Sequence, residues 1–418
     1  MQFAMRKIDT RGVSVATRTS SRENNRQIVL NLIRDRQPIS RADLARCMHV
    51  TRGVVGVLVQ ELIAQGVVCE GATGEPSRGR KANFLHLRTR DRLAIAVDVR
   101  MTKTCLMLCD LSGRQLAVET YDTIFPVTEF VKDLAGRIRR ILKIQNSGLA
   151  CEGIGIVVPE MVDHRTGEIL NAPSPGWQGV EIRTKLAAAT GLPVQVEDSG
   201  RACALAQLWF EPHEASDDHS FVYISVSDGV SVGIVVNGEL LHGRDELASE
   251  FPHLPLNLDG PNCMCNATGS WEAYTSNLAT LSRYFGWNLS KPGAQAFREK
   301  KAQAFTVLDL VARARSGDKK AVAALQATGR ALGLGLAAIV NDVDPDCVYL
   351  AGEITTAWDL IENSVRDAMS ERTLTAAAAR TPLRVTNQDY PRLRGAAALV
   401  AARTFAAPRV AYQDTSSV

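Results

Sequence analysis

The sequence lacks any apolar run close to the roughly 20 residues that a membrane-spanning helix needs. It also lacks an apolar stretch behind its N-terminus, where MQFAMRKIDTRGVSVATRTSSRENN is polar and basic, so no secretory signal is indicated. A disulfide framework is not indicated either, because the nine cysteines are odd in number and mostly scattered in apolar segments. We therefore expect a cytoplasmic protein with reduced thiols and no membrane partner.

The 418 residues carry a net charge of only +3, which shows no marked excess of either sign. The distribution of charge is uneven, however. Residues 1–92 hold 17 Lys+Arg and 8 Asp+Glu, a net of +9, whereas residues 93–418 have a net charge of −6. A basic head on an acidic body suggests a polyanion-binding module joined to another unit, although a chance cluster of arginines on a solvated surface would give the same count. At roughly 100–200 residues per domain, the length allows two to four folding units.

The head has the pattern of a helix-turn-helix. Residues 26–36 form an amphipathic helix, which Pro38 ends. Ser40 is placed to cap a second short helix, and Thr51 opens a third, in which apolar residues recur at helical spacing until Gly66. Two short helices joined by a tight turn, the second starting with Thr-Arg, predict a helix-turn-helix motif.

A β-hairpin is expected to follow, with strands at 67–70 and 82–87 around a Gly-rich basic loop, which makes the arrangement a winged helix. The third helix would then enter the major groove of DNA, while the wing would contact phosphates or the minor groove. Residues 53–57 of the third helix can offer only apolar or shape contacts. A protein-binding helical module is the alternative. The candidate DNA-binding residues are Arg41, Thr51, Arg52, Arg78, Arg80 and Lys81.

The acidic body alternates predicted strands with predicted helices, and its C-terminal third is largely helical. This order is typical of an α/β domain with mixed sheets, and two sets of strands favour two α/β lobes with a cleft between them. The predicted strands are 93–99, 104–110, 115–121, 153–158, 221–226, 232–236 and 348–350, and the predicted helices are 127–142, 302–315, 319–343 and 357–369.

Two groups of motifs point to a known family. In the head they are NRQIVLNLIRDRQPISRADLARCMHVTRGVVGVLVQELIAQGVV and GRK; in the body they are GIGIVVPEMVD, NAPSPGW, VEDSGRACALAQ, YISVSDGVSVGIVVNGELLHG and LASEFPHLPLNLDGPNCMCNATGSWE. Over residues 24–400 the chain resembles transcriptional regulators of the ROK family (repressors, open reading frames, kinases). The resemblance implies a two-lobed sugar-kinase-like fold related to actin-type ATPases, and often a structural zinc. We accordingly predict a flexible basic arm (1–22), a winged helix-turn-helix domain (23–92), a ROK-like domain of two α/β lobes (93–405) and a C-terminal tail (406–418).

The chain departs from the kinases of this family at three places. Phosphoryl transfer needs glycines where backbone amides approach the phosphates, and a carboxylate to activate the sugar hydroxyl. The family's Asp-x-Gly-Gly-Thr loop is DVRMT at residues 98–102, and its Gly-Thr-Gly-Ile-Gly-Ala-Gly loop is SDGVSVG at residues 227–233. A gapless match places Ser199, a weak base, at the position of the catalytic carboxylate, whereas keeping Asp198 there requires an inserted residue. We therefore expect no kinase activity and no bound ATP.

The resemblance also implies a sugar pocket, in which carboxylates and an imidazole bind adjacent hydroxyls in pairs. The family's Glu-x-x-His pair and its later glutamate are retained, while the polar residues on the opposite wall differ. We expect a small polyhydroxylated effector, such as a sugar or a sugar derivative; an altered ligand, or a pocket that binds none, are the alternatives. The candidate effector-binding residues are Ser174, Asp198, Ser199, Glu250, His253 and Glu272.

A metal site is the last expectation that the resemblance carries. His253, Cys263 and Cys265 form the pattern H-x9-C-x-C, and Ser270 stands where the family adds a further cysteine. Thiolates and imidazole suit Zn²⁺, but a neutral serine hydroxyl is a poor fourth ligand. A structural zinc with three protein ligands and a metal-free loop with two reduced cysteines therefore both remain open.

Taken together, these features predict a DNA-binding transcriptional regulator, a repressor, whose degenerate kinase-like body senses a sugar or a related small molecule. Such regulators bind a double-stranded operator, and we expect a homodimer or homotetramer. A residual sugar kinase that carries a DNA-binding head is one alternative. The other is a constitutive DNA-binding protein with no effector.

Overall fold

A helical head precedes an α/β body in the structure, which is a computed structural model. Most of the predicted arm, part of the predicted wing loop and the predicted tail lie outside the described residues. Four candidate site residues also lie outside them, namely Arg78, Arg80, Lys81 and Ser174. The described residues are 20–73, 83–100, 102–145, 148–159, 161–171, 177–211, 220–263, 265, 267–287, 305–386 and 388–405.

The head contains three helices and a small antiparallel sheet. In chain order its elements are α1 (Ser20–Arg36), β1 (Ile39–Ser40), α2 (Arg41–Cys47), α3 (Arg52–Ala64), β2 (Val68–Thr73) and β3 (Asn83–Leu87). The axes of α2 and α3 differ by 118°, as in a helix-turn-helix, and the strands pair in the order β1–β3–β2. This is the winged arrangement that the sequence predicts.

The first helix begins earlier than its apolar pattern suggests, inside the stretch predicted as an arm. Its polar first turns are held against the third helix, because Arg22 pairs with Glu61 and Arg26 Nη1 donates to Gln65 Oε1 over 2.9 Å. The predicted cap of α2 is present: Ser40 Oγ accepts from Asp43 N–H at 3.2 Å. The same residue hydrogen-bonds the Asp43 carboxylate and lowers its pKa.

The first lobe of the body is built on a mixed five-stranded sheet. In chain order its elements are β4 (Leu93–Val99), β5 (Lys103–Asp110), β6 (Gln115–Asp122), α4 (Val127–Gln145), β7 (Cys151–Val158), β8 (Met161–Asp163), β9 (Glu168–Asn171), β10 (Val180–Glu181), α5 (Ile182–Thr190), β11 (Val194–Asp198) and α6 (Ser199–Phe210). The main sheet has the order β11–β7–β4–β5–β6, and β8, β9 and β10 form a small separate sheet. Helix α4 covers one face of the main sheet with its apolar side, where Phe130, Leu134 and Ile138 are buried.

The second lobe repeats the plan with the strand order β14–β13–β12–β15–β16. In chain order the remaining elements are β12 (Phe221–Val226), β13 (Val230–Val236), β14 (Glu239–Leu240), α7 (Trp271–Thr275), α8 (Asn277–Phe285), α9 (Val307–Arg315), α10 (Lys319–Val343), β15 (Cys347–Ala351), α11 (Trp358–Arg372), β16 (Leu383–Val385) and α12 (Pro391–Phe405). Among the described helices, α10 is long and apolar enough to cross a membrane, but 61% of its most apolar window is buried inside this lobe. It is the core helix of the lobe.

Helices α6 and α12 form a layer between the two sheets, with α12 packed on β4 and β7 and α6 packed on β12 and β13. Glycine makes this close packing feasible. A Cβ atom at Gly155 would lie 1.9 Å from the carbonyl oxygen of Ala396, and one at Gly200 would lie 2.3 Å from that of Val232. The junction of β11 with α6 is therefore fixed between the lobes, where the candidate effector residues begin.

Candidate functional site

The N-terminal end of α3 is open to solvent. Thr51 is its N-cap but makes no side-chain capping bond, and both Thr51 and Arg52 are exposed. The first turn contains no acidic residue, so no side chain of that turn offsets the positive end of the helix dipole. Val54 and Val57 follow on the exposed surface. This end of α3 thus combines groups that attract an anion with apolar side chains.

Arg41 and Arg52 differ in their environment. Arg41, at the start of α2, forms an ion pair with Glu70 of β2, which links the helix to the wing strand. Arg52 has no ion pair among the residues that the structure describes. Arg52 is therefore the free cation of the two, and Arg41 is partly neutralised.

Asp198 ends β11 and caps α6, where its carboxylate accepts from the Arg201 backbone N–H at 3.0 Å. Burial raises the pKa of Asp198 to about 7; the Arg201 guanidinium opposes this rise, while Glu197 and Glu250 add to it by repulsion. Glu250 comes from the second lobe, so the charges of these two predicted effector residues repel each other between the lobes.

Glu250, His253 and Glu272 continue this cluster in the second lobe. Glu250 Oε2 lies 3.5 Å from His253 Nε2. Burial raises the pKa of Glu250; His253 acts against this change, and Glu272 reinforces it. Contacts therefore link Glu250 to His253 directly and His253 to Glu272 through Cys263, and the three residues offer carboxylate and imidazole groups that can hydrogen-bond hydroxyls.

Ser199, the remaining candidate effector residue that the structure describes, makes a contact that the sequence did not predict. Its hydroxyl lies 2.9 Å from the hydroxyl of Ser231 on β13, and the side chain is buried. This hydrogen bond joins the first turn of α6 to the second lobe. Ser199, which the gapless match places at the base position, thus bridges the lobes.

A buried network, which the sequence analysis did not predict, lies beside Asp198. Arg201 is 1% exposed; its Nε donates to Glu197 Oε1 over 2.8 Å, and its Nη1 lies 3.1 Å from Glu246 Oε2. His242 Nε2 lies 2.9 Å from Glu197 Oε2, and His164 Nδ1 lies 2.5 Å from Glu246 Oε1. The two imidazole rings stack with centroids 4.0 Å apart. The network therefore ties the small sheet and α6 of the first lobe to the loop after β14.

The side-chain donor atoms of His253, Cys263 and Cys265 lie within 4.8 Å of one another. Cys263 Sγ lies 3.6 Å from His253 Nδ1. Burial acts to raise the pKa of the Cys263 thiol. Hydrogen bonds from His253 and from the Cys265 backbone N–H outweigh burial and hold this pKa below its usual range. Two thiols and an imidazole at this spacing fit three positions of a zinc site.

The fourth position of that site is not a strong ligand. Ser270 is buried and caps α7, and its hydroxyl accepts from the Ala273 backbone N–H at 3.4 Å. Glu272 Oε1 lies 3.6 Å from Cys263 Sγ, but its other oxygen accepts from the Val230 N–H at 2.9 Å. The residues present therefore support a three-ligand site and do not complete a tetrahedral one.

The segment that corresponds to the first phosphate loop is filled by ion pairs. Asp98, whose side chain is 2% exposed, has one carboxylate oxygen 2.8 Å from Arg100 Nε and the other 2.8 Å from Arg392 Nε. The Asp98 carboxylate is thus neutralised by two arginines of the chain itself. Burial acts to lower the pKa of the Arg100 guanidinium. The Asp98 and Glu353 carboxylates outweigh burial, so the pKa of Arg100 is raised.

In the segment that the family resemblance matches to the second phosphate loop, two backbone N–H groups already donate hydrogen bonds within the chain. The Val230 N–H donates to Glu272, and the Ser227 N–H donates to the Gly229 carbonyl oxygen over 2.8 Å. Burial and the nearby Glu353 raise the pKa of Asp228, with Arg100 acting in the opposite direction. Asp228 therefore adds an acidic group to this segment.

Two cavities lie away from the clustered effector residues. One of about 490 Å³ is found beside α7 and α8, and its lining includes Tyr274, Arg283 and Trp287. The other, of about 280 Å³, opens next to Asp98, Arg100 and Arg392. Neither cavity is lined by any of the five candidate effector residues that the structure describes.

With this geometry established, comparison with known proteins identifies the family. Residues 94–403 match the ROK family. The chain belongs to the ROK family. This ROK protein is 27% identical over 362 residues to a protein named xylose repressor from Bacillus spizizenii, a match that covers 86% of the chain and 90% of the relative. It is 25% identical over 394 residues to the DNA-binding transcriptional dual regulator NagC of Escherichia coli, with 90% and 92% covered.

Solved structures show how far the similarity of this ROK protein extends. A ROK family transcriptional regulator described as a homologue of the E. coli MLC protein superposes with a TM-score of 0.78 at 25% identity, over 92% of this chain and 96% of the other. A ROK glucokinase from Streptomyces griseus, solved with glucose and AMPPNP, gives a TM-score of 0.59 at 25% identity, over 75% of this chain and 99% of the other. The predicted family and the predicted fold are confirmed.

Proposed function

We propose that this ROK protein is a DNA-binding transcriptional regulator, a repressor, whose body binds a sugar or a related small molecule. The observation that carries the proposal is the extent of similarity: the regulator structure matches 92% of the chain, whereas the glucokinase matches only 75%. Residues 93–405, which form the body, make up about the 75% of the chain that the glucokinase covers. These shares support the proposal that the winged head, which has a net charge of +9, distinguishes the chain from the kinase.

The repressor role is supported by the head surface. Thr51 and Arg52 lie at the exposed positive end of a helix that a helix-turn-helix protein places in the major groove. Arg41, Arg78, Arg80 and Lys81 are proposed as further contacts, the last three on the wing. Relatives named xylose repressor and N-acetylglucosamine repressor suggest that the effector is a pentose, a hexose or an amino sugar.

Two contacts between head and body could transmit the effector signal. The Arg34 guanidinium of α1 lies 4.4 Å from the ring centroid of Trp209 on α6. Arg92 donates to the Gly66 carbonyl at the end of α3 over 2.9 Å, and it pairs with Glu152 of β7 at 3.0 Å. We propose that closure of the lobes around an effector moves these contacts and changes the spacing of two heads in a homodimer or homotetramer. Such couplings are typically ~1–3 kcal/mol, or about 5–150-fold in affinity.

Loss of kinase activity is part of the same proposal, and it predicts that ATP consumption with a panel of hexoses and pentoses stays at the protein-free background. The reason is that Asp98 is held by two arginines and that Ser199 occupies the base position. A coupled ATPase assay checks this, with Asp198→Ala as the companion variant. Sugar-dependent turnover that Asp198→Ala abolishes would instead make Asp198 a working base and the protein a kinase.

We also propose that His253, Cys263 and Cys265 hold one structural Zn²⁺, more weakly than a four-ligand site would. Protein purified without chelator should contain about one zinc per chain, because two thiolates and an imidazole bind this ion well. Metal analysis of Cys263→Ser should show its loss. Cys69→Ser, a thiol change in the head, should keep it. Zinc missing from wild type and both variants would leave the loop metal-free.

Genome-wide mapping of bound sites in the source organism tests the proposed function. We expect a few discrete sites next to genes for sugar uptake or breakdown, and these sites supply the operator for the experiments below. A flat profile, with no site enriched over background, would contradict the regulator role.

A further inference from the structure

The exposed side of α3 is apolar at its centre, although it belongs to the basic head. Val54 is 42% exposed and Val57 is 53% exposed, whereas Val55, Leu58 and Val59 are buried in the core of the head. Val54 and Val57 are three residues apart, so they lie on the same side of the helix. Within the described residues of α3, they are large apolar side chains that no core contact accounts for.

A glycine precedes each of these valines in the sequence, and the fold itself needs neither glycine. A Cβ atom at Gly56 would meet nothing within 4 Å, and one at Gly53 would meet only Thr51 Oγ1, at 3.9 Å. Neither residue has a positive φ. Glycine in a helix destabilises it relative to alanine because more backbone freedom is lost on folding. Neither packing nor backbone conformation within the chain therefore explains the two glycines.

We propose that the face formed by Gly53, Val54, Gly56 and Val57, the GV face, lies against the major-groove floor of the operator and selects the C5 methyl groups of thymine. This inference rests on the proposed DNA-binding function and specifies which chemistry is recognised. The thymine methyl is the apolar group that B-DNA presents in the major groove. Valine methyls match it, and glycines let the helix backbone approach closer than a Cβ atom would allow.

Charge complementarity assigns this face to DNA rather than to an apolar protein surface. Arg52 adjoins the GV face, is exposed and has no ion pair among the described residues. The first turn of α3 lacks an acidic residue, and the head as a whole carries +9. A duplex satisfies both parts of the surface, because phosphates bind the cationic rim while base methyls contact the apolar centre.

The first test removes methyl groups from the DNA and leaves the protein unchanged. Operator duplexes selected with the full chain are compared with duplexes in which single thymines in the contacted half-site are replaced by deoxyuridine. We expect affinity to fall about fourfold for each contacted methyl. In Val57→Ser the same replacement should change affinity less than twofold at the methyl that Val57 contacts. Wild-type affinity that is insensitive to deoxyuridine at every position would overturn the proposal.

The second test separates the role of the glycines in binding from any role in folding. Gly56→Ala should keep or raise the thermal midpoint of the head while weakening operator binding at least tenfold. Gly136→Ala is the matched control, because Gly136 is an exposed glycine of α4 whose Cβ would also meet nothing within 4 Å. It should leave operator binding unchanged.

The remaining outcomes are distinguishable. If Gly56→Ala binds the operator normally but loses self-association in light scattering, the GV face belongs to a second copy of the chain and the proposal is wrong. If Gly56→Ala alters neither property, the proposal is also wrong, while the regulator function stands. If the wild-type chain selects no duplex at all, the proposed function itself fails.

Discussion

Replacing Arg201 with methionine is expected to lower the free energy of unfolding of the body by about 3–5 kcal/mol. Arg201, Glu197 and Glu246 are each at most 1% exposed, and the Arg201 guanidinium pairs with both carboxylates. Without it, the two buried carboxylates would keep the His242 and His164 imidazoles as their ion-pair partners among the described residues, and they would lose the guanidinium that joins them. Burial acts to raise the pKa of Glu197, but Arg201 and His242 outweigh burial and hold this pKa far below its usual range. Removing Arg201 takes away one of these two stabilising influences.

The measurement is urea unfolding of the full chain at neutral pH, followed by tryptophan fluorescence. Arg330→Met is the matched control, because Arg330 forms a two-pronged pair with Glu371 in which the two side chains are 54% and 47% exposed. A surface pair of this kind is expected to contribute less than about 1 kcal/mol. Equal and small effects of the two substitutions would show that the buried network does not hold the lobes together.

Operator affinity is expected to fall about a thousandfold between 50 and 200 mM salt, if the assembled protein neutralises about six phosphates. Arg52→Gln should reduce the steepness of this dependence by about one phosphate contact per head, because Arg52 is a cation at the exposed end of α3 that has no ion pair among the described residues. Fluorescence anisotropy with the mapped operator gives both slopes. Arg330→Gln, a charge change on the body, should leave the slope unaltered. Binding that does not depend on salt would contradict a phosphate-contacting head.

Much of the fold could be predicted because its elements have one buried side. Strands β4 and β12 and helix α10 have the predicted boundaries, since their apolar runs end at clear breaks. Helices α6 and α12 were not predicted. Both lie between the sheets, so nearly every residue of α6 and most of α12 is buried, and no polar face marks the helical period. The alanine and glycine content of α12 follows from the same close packing.

The site could be predicted only where family motifs mark it. The motifs mark Glu250, His253 and Glu272, which stay predicted effector contacts, and they do not reveal the Ser199–Ser231 hydrogen bond. The Arg201 network could not be read from local patterns, because its histidines are far apart in the sequence and meet only when the lobes pack. The same holds for the pair of Asp98 with Arg392, which joins residues from opposite ends of the body.

The central claim is that the kinase-like body senses a small molecule and passes this information to a DNA-binding head. The most direct test measures the affinity of the full chain for its mapped operator by anisotropy, with and without xylose, glucose and N-acetylglucosamine, while ATP consumption is recorded. We predict that one ligand class changes operator affinity by about 5–150-fold without consuming ATP. Operator affinity that no sugar or sugar derivative alters, or a sugar response that requires ATP turnover, would contradict the account.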